Sequence, residues 1–209
     1  MRQSGTWRPL CRAGALATRL PGEVPAPTVE RFGTARPKLY RAMGISRSPC
    51  VLRDIIEIVS GLHIQSLIVT TTILPEREGK ASGHVLLTPH APAHGVDPLA
   101  DVAFMHGGAG TVQTAIHSGT PLVGIPMHLE HTGNLSLVTR PGAGLMLSKW
   151  DLNRRSLDRA LESLLADASL RENMLRLKAL QDKVEGSTEA AREIVSFLGA
   201  SKPSMEQAR

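Results

Sequence analysis

Residues 101–124, DVAFMHGGAGTVQTAIHSGTPLVG, limit what this chain can become more than any other stretch. The run Val102-Ala103-Phe104-Met105 is apolar and short, the pattern of a strand buried on both faces. A glycine-rich turn follows, His106-Gly107-Gly108-Ala109-Gly110-Thr111, and then small residues that read as a helix over roughly 112–118. Gly119 and Pro121 stop that helix, and Leu122-Val123-Gly124-Ile125 begins a second apolar strand. Strand, glycine turn, helix, strand is the βαβ unit of a parallel sheet. The turn of such a unit is where backbone amides and a helix N-terminus meet anionic ligands.

The flanking sequence repeats the alternation. Residues 39–43 read as a strand, and Gly44-Ile45-Ser46 as the turn that leaves it. Ser48 is a helix N-cap with Pro49 at the first helical position. Val51, Leu52, Ile55, Ile56, Val59 and Leu62 then recur at helical spacing up to Gly61 and just past it. Residues 64–70 are a β-branched strand, 75–83 a polar loop and 85–87 a short strand. Residues 88–95 carry two prolines and a glycine and read as irregular. Residues 129–138 read as a helix and 143–147 as the last strand. Three C-terminal helices follow, capped by Asp151, Asp167 and Ser187. Their inward positions are Leu157, Leu161, Leu164 and Leu165; then Leu170, Met174, Leu177 and Leu180; then Ala190, Ile194, Val195 and Leu198. Five to six strands alternating with helices predict an α/β, doubly wound parallel sheet over residues 37–200 with a helical C-terminal layer. Residues 1–36 form a leader outside that domain and 201–209 a tail.

Composition narrows the function. Residues 1–53 carry ten Arg or Lys against two Glu, whereas residues 54–209 carry fourteen against seventeen Asp or Glu. The positive balance therefore lies in residues 1–53 and the remainder is slightly acidic, so with only 3% aromatic residues the domain lacks the basic, stacking surface of a nucleic-acid binder. Cys11 and Cys50 form neither a CxxC pair nor a disulfide framework, which fits a reducing, cytoplasmic setting. No apolar run approaches the roughly 20 residues of a membrane helix.

Chemistry concentrates in one half of the chain. The turn 106–111 matches neither a Walker A loop nor GxGxxG, yet its amides can converge on an anion, Thr111 adds a hydroxyl and His106 a donor. Seven of the eight histidines fall within residues 84–131. His128 and His131, three apart with Glu130 between, are the pair that could bring a metal to mind, but no HExxH or HxxEH pattern is present and no metal is expected. The segment Pro126 to Asn134 leaves the carboxyl end of a strand, as the glycine turn does. Its carboxylate, imidazole and amide suit sugar hydroxyls.

Four motifs in this order, His106-Gly107-Gly108-Ala109-Gly110-Thr111, residues 119–126 (GTPLVGIP), Glu130-His131 with Asn134, and Gly142-Ala143-Gly144, resemble the C-terminal, donor-binding domain of GT-B glycosyltransferases. The likeness is to the group containing UDP-glycosyltransferases, macrolide glycosyltransferases and the family 28 type, and it covers about residues 38–198. It implies one Rossmann-like half of a GT-B fold, and inverting hexosyl transfer from a UDP- or TDP-linked sugar to an acceptor hydroxyl, with no cofactor and no metal. Carried onto this sequence, it places Ser46 near the donor phosphates and His90 where the family has a base-stacking tryptophan, with Pro92 two residues on. His106, Gly107, Gly108, Gly110 and Thr111 would hold the diphosphate, and His106 would stabilise the leaving group. Thr114 stands where the family has a glutamate for the ribose. Glu130 and His131 stand on the Asp/Glu-Gln pair that contacts the sugar, and Asn134 on the asparagine beyond. Ala93 and His131 also depart from the family's glutamines. The resemblance further implies that the acceptor and the general base belong to another half, supplied by a partner chain. The alternative is a non-catalytic nucleotide-sugar-binding module or an inactive fragment.

Overall fold

A computed structural model describes residues 37–42, 49–70, 79–89 and 91–200. Seven strands form one sheet: β1 (Lys38–Ala42), β2 (Gln65–Val69), β3 (Gly79–Ser82), β4 (Val85–Thr88), β5 (Val102–Met105), β6 (Leu122–Gly124) and β7 (Gly144–Met146). Their order is β3-β4-β2-β1-β5-β6-β7, with six strands parallel and only β3 antiparallel to its neighbour. The helices are α1 (Pro49–Ser60), α2 (Ala93–Val96, running into a 3-10 turn at Asp97–Leu99), α3 (Ala109–Ser118), α4 (Leu129–Thr139), α5 (Arg154–Ala166), α6 (Ala168–Gln181) and α7 (Gly186–Ala200).

Alternate residues of each strand serve opposite faces. On one face Leu39, Ile68, Phe104 and Val123 pack with Ile55 and Val59 of α1 and Leu157, Leu161 and Leu164 of α5. On the other, Ala103, Met105 and Leu122 pack with Val112, Ala115 and Ile116 of α3, Leu135 and Val138 of α4 and Met174 of α6. Tyr40, Leu67 and Leu86 continue that second layer toward Ala91, Val96 and Ala100. Burial on both sides explains why β4, β5 and β6 read as unbroken apolar runs rather than alternating ones. Phe104 and Ile55 are 0% exposed, and each contributes about 1.5–3 kcal/mol through its buried surface.

Several elements differ from the sequence expectation. Residues 79–82, expected within a polar loop, form edge strand β3, joined to β4 by the turn at Gly83-His84. Gly, Lys, Ala and Ser carry no strand propensity, so only the hairpin partner makes this segment extended. Residues 93–96 form a helical turn where irregular chain was expected, because Pro92 sits at the N-cap, where a missing N–H does no harm. Asn153, not Asp151, caps α5: its side chain accepts from the Ser156 N–H at 3.0 Å while the Ser156 hydroxyl accepts from the Asn153 N–H at 3.1 Å. Asp167 does cap α6, accepting from the Ser169 N–H at 2.9 Å, and hydrogen bonding from the Ser169 hydroxyl and then from its N–H holds the carboxyl below the usual carboxylate range. In α7, which begins at Gly186 ahead of the expected cap Ser187, Ile194, Val195 and Leu198 are 59%, 69% and 63% exposed instead of inward. Leu165 and Leu180 are exposed as well. Among the described residues, no helix is long and apolar enough to cross a membrane. The expected cap Ser48, the leader and the tail lie outside the described residues.

Candidate functional site

The chain leaves β5 at His106 and turns at once into α3, which opens at Ala109 rather than at the expected 112. Two glycines make the turn possible. Gly107 has φ +95°, and a Cβ there would lie 2.7 Å from Leu135 Cγ and 2.9 Å from the His131 carbonyl oxygen. The turn is thus pressed against α4, in a conformation that side chains rarely adopt. Gly108 is the N-cap, and a Cβ on it would meet His106 Nε2 at 2.6 Å. The missing side chain lets the imidazole of His106, itself buried, fold over the mouth of the helix.

That mouth has no side-chain cap. The first helix-closing bond runs from the Val112 N–H to the Gly108 carbonyl at 3.0 Å, so the amides of Ala109, Gly110 and Thr111 have no partner within the helix. The Thr111 hydroxyl donates backward to the Gly108 carbonyl at 2.8 Å, and the Thr114 hydroxyl to the Gly110 carbonyl at 2.8 Å. Both hydroxyl oxygens keep lone pairs to accept with. Gly110 is exposed, and a Cβ on it would meet nothing within 4 Å.

Helix α4 brings the second set of groups to the same place. Asn134 Nδ2 donates to the Gly107 carbonyl at 3.0 Å and to Glu130 Oε1 at 3.3 Å, so one amide ties α4 to the glycine turn and orients the carboxylate. His131 is 6% exposed; its ring meets that of His106 edge-on, centroids 4.5 Å apart, and its Nδ1 accepts from the Met127 N–H at 3.3 Å. Burial, reinforced by His128 and opposed by Glu130, lowers the His131 pKa below the ordinary imidazole value. A neutral ring results, able both to donate and to accept.

Of the residues expected at the site, His106, Gly107, Gly108, Glu130, His131 and Asn134 are joined by these contacts, and Gly110, Thr111 and Thr114 line the opening turns of α3. Pro92 heads α2, which packs against α3. Ser46 and His90 lie outside the described residues. The sequence reading left His128 out of the donor contacts, yet its ring lies 3.5 Å, centroid to centroid, from that of His131. His128 is the N-cap of α4, with extended backbone (φ −155°, ψ 177°), and its spacing from His131 was the only sign in the sequence. One ligand atom from each of His128, Glu130 and His131 falls within 4.8 Å of the others. The arrangement therefore offers amides and an imidazole suited to an anion, beside a carboxylate, an amide and further imidazoles suited to hydroxyls or a cation.

Known proteins share this plan. The profile of the family described as erythromycin biosynthesis protein CIII-like, C-terminal domain, matches residues 67–197. A PGL/p-HBAD biosynthesis glycosyltransferase of Mycobacterium tuberculosis is 24% identical over 144 residues, 69% of this chain and 33% of the relative. The calicheamicin glycosyltransferase CalG4 superposes with a TM-score of 0.68 at 26% identity, over 80% of this chain and 44% of that one. The glycosyltransferase VinC, solved in complex with dTDP, gives 0.69 at 23% identity over 83% and 44%. The chain thus spans a third of its curated relative and less than half of these two structures. With six parallel strands in its sheet and its match to the family profile, the chain belongs to the erythromycin biosynthesis protein CIII-like C-terminal domain family of GT-B glycosyltransferases.

Proposed function

We propose that residues 37–200 bind a nucleoside-diphosphate sugar, UDP- or TDP-linked, as the donor half of an inverting hexosyltransferase. The uncapped N-terminus of α3 lying under His106, with Glu130 and His131 alongside, carries this reading. VinC's complex with dTDP supports a nucleoside diphosphate as the ligand class. The diphosphate would rest on the amides of residues 109–111 and on His106, and the hexose hydroxyls on Glu130 and His131. Ser46, His90 and Pro92 would serve the phosphate and base, and Thr114 the ribose. Neither a cofactor nor a resident metal enters the step.

In that step a base removes the acceptor's hydroxyl proton, the oxygen attacks the anomeric carbon, and the bond from that carbon to the diphosphate oxygen breaks. Negative charge grows on the departing diphosphate, where oriented amides and an imidazole are worth most because they need no reorganisation. The acceptor and the base come, in this reading, from a second half or partner chain. The two cysteines, without a CxxC pair, favour the cytoplasm as its setting.

Titrating UDP, TDP and GDP against the purified chain tests the reading. One nucleotide should bind saturably, and His106→Ala should weaken it roughly 10- to 100-fold, the worth of a hydrogen bond to a charged group. Absence of saturable binding, or indifference to His106→Ala, would sink it. The hydroxyl of Thr114, already donated to the Gly110 carbonyl, is a weaker ribose partner than a carboxylate and favours the second reading, a non-catalytic module. Transfer assays with and without a candidate acceptor half separate the two.

A further inference from the structure

We infer that His128, Glu130 and His131 form a site for a borderline divalent cation such as Zn²⁺. Two imidazoles and one carboxylate are the donor set that suits Zn²⁺ and disfavours Mg²⁺, which demands oxygen ligands. The backbone builds the cluster. Extended chain at the N-cap turns His128 back over the first turn of α4, one turn before His131, and Glu130 lies between them. Their ligand atoms lie within 4.8 Å of one another, and ligands around a tetrahedral zinc stand roughly 3.3 Å apart at bond lengths of about 2.0–2.1 Å. Rotation of the exposed His128 and Glu130 side chains is the motion that closes that gap in this proposal. His131 is the fixed member, held by burial and by the edge of His106, while His128 and Glu130 are exposed, one resting on the His131 ring and the other holding a 3.3 Å bond from Asn134.

Two effects oppose the ion. The N-terminal dipole of α4 repels a cation, and the Glu130 carboxylate in its first turn offsets that field. A cation at His131 Nδ1 must also displace the Met127 N–H, a contact that at 3.3 Å is long and weak. Water completes the coordination, since three protein ligands leave one tetrahedral position.

A consequence rests on the donor reading. In that reading the same atoms of Glu130 and His131 serve the sugar hydroxyls, so Zn²⁺ competes with a nucleotide sugar for the site.

The test uses tag-free chain titrated with Zn²⁺ against a chromophoric chelator. One equivalent should bind, Mg²⁺ should not register, and His128→Ala and His131→Gln should each weaken Zn²⁺ at least about tenfold. Co²⁺ substituted for Zn²⁺ should show the visible absorption of four-coordinate cobalt. His128 is exposed, so His128→Ala keeps the fold, which circular dichroism checks. No stoichiometric uptake, or uptake unchanged in both variants, overturns the site. UDP and UDP-glucose are then titrated in chelator and in Zn²⁺. UDP-glucose that binds in chelator and is weakened by Zn²⁺ supports the competition; UDP-glucose unaffected or tightened by Zn²⁺ overturns it. Nucleotide binding in chelator without Zn²⁺ uptake defeats the metal inference alone, and Zn²⁺ uptake without any nucleotide binding defeats the donor reading alone.

Discussion

Helices α3 and α5 both follow the carboxyl ends of parallel strands, and they begin in opposite ways. At α5 the side chains of Asn153 and Ser156 satisfy each other's backbone amides. At α3 the N-cap is a glycine, and the nearby Thr111 hydroxyl bonds backward to a carbonyl, leaving the first-turn amides facing outward. Helix α4, beside α3, also starts without a side-chain cap bond, at His128. A cap contributes typically about 1 kcal/mol, so an uncapped terminus is a standing loss of stability. The losses fall where His106, Glu130 and His131 gather, and the cap falls at α5, away from them. A helix end left open beside converging polar side chains is stability that the fold does not recover through a cap of its own.

The largest effect should come from closing the space beneath the open end. Gly107→Ala forces a side chain into φ +95° and within 2.9 Å of Leu135 and the His131 carbonyl. Strain and overpacking together should cost about 3 kcal/mol, read as a lower urea midpoint, with UDP binding lost as the turn shifts. An unchanged midpoint would mean that the turn is not pinned by α4. At the capped end the expected pattern reverses. Asn153→Ala should cost about 1 kcal/mol and leave UDP affinity unaltered, since its partners are Ser156 of α5 and the Asp151 carbonyl just before that helix. Equal damage to binding would break the contrast between the two helix ends.

This contrast was half visible in the amino-acid sequence. The strands β2, β4, β5 and β6 announced themselves because both their faces are buried and their centres are apolar runs, Leu67-Ile68-Val69, Val85-Leu86-Leu87, Val102 to Met105 and Leu122-Val123. Strand β3 did not, since Gly79-Lys80-Ala81-Ser82 is extended only through pairing with β4. The glycine turn was legible by residue type, but the start of α3 was placed three residues late, because Gly110 reads as turn and is in fact helical. Glu130, His131 and Asn134 were found by their likeness to a family motif. What Asn134 does at Gly107 depends on α4 meeting the glycine turn across 27 residues of chain, which no local pattern encodes. The stacking of His128 on His131 depends on the extended backbone at an N-cap, equally invisible beforehand. In α7 the apolar period was legible, and the exposure of Ile194, Val195 and Leu198 was not, because period says which residues share a face and not what covers it.

Gly110 sharpens the comparison most economically, since its effect on stability and its effect on binding should have opposite signs. It lies inside the first turn of α3, where glycine is a poor helix former, and its absent Cβ leaves open space with no neighbour within 4 Å. Nothing in the protein's own packing requires a glycine there. Gly110→Ala should therefore stabilise the fold by roughly 0.5–1 kcal/mol through helix propensity and a less disordered unfolded chain. If the open space belongs to the diphosphate, the same methyl group should stand between the ligand and the amides and weaken UDP measurably. A variant that is more stable and binds UDP as before would show that the glycine serves neither packing nor ligand, and that the anion rests elsewhere on the turn.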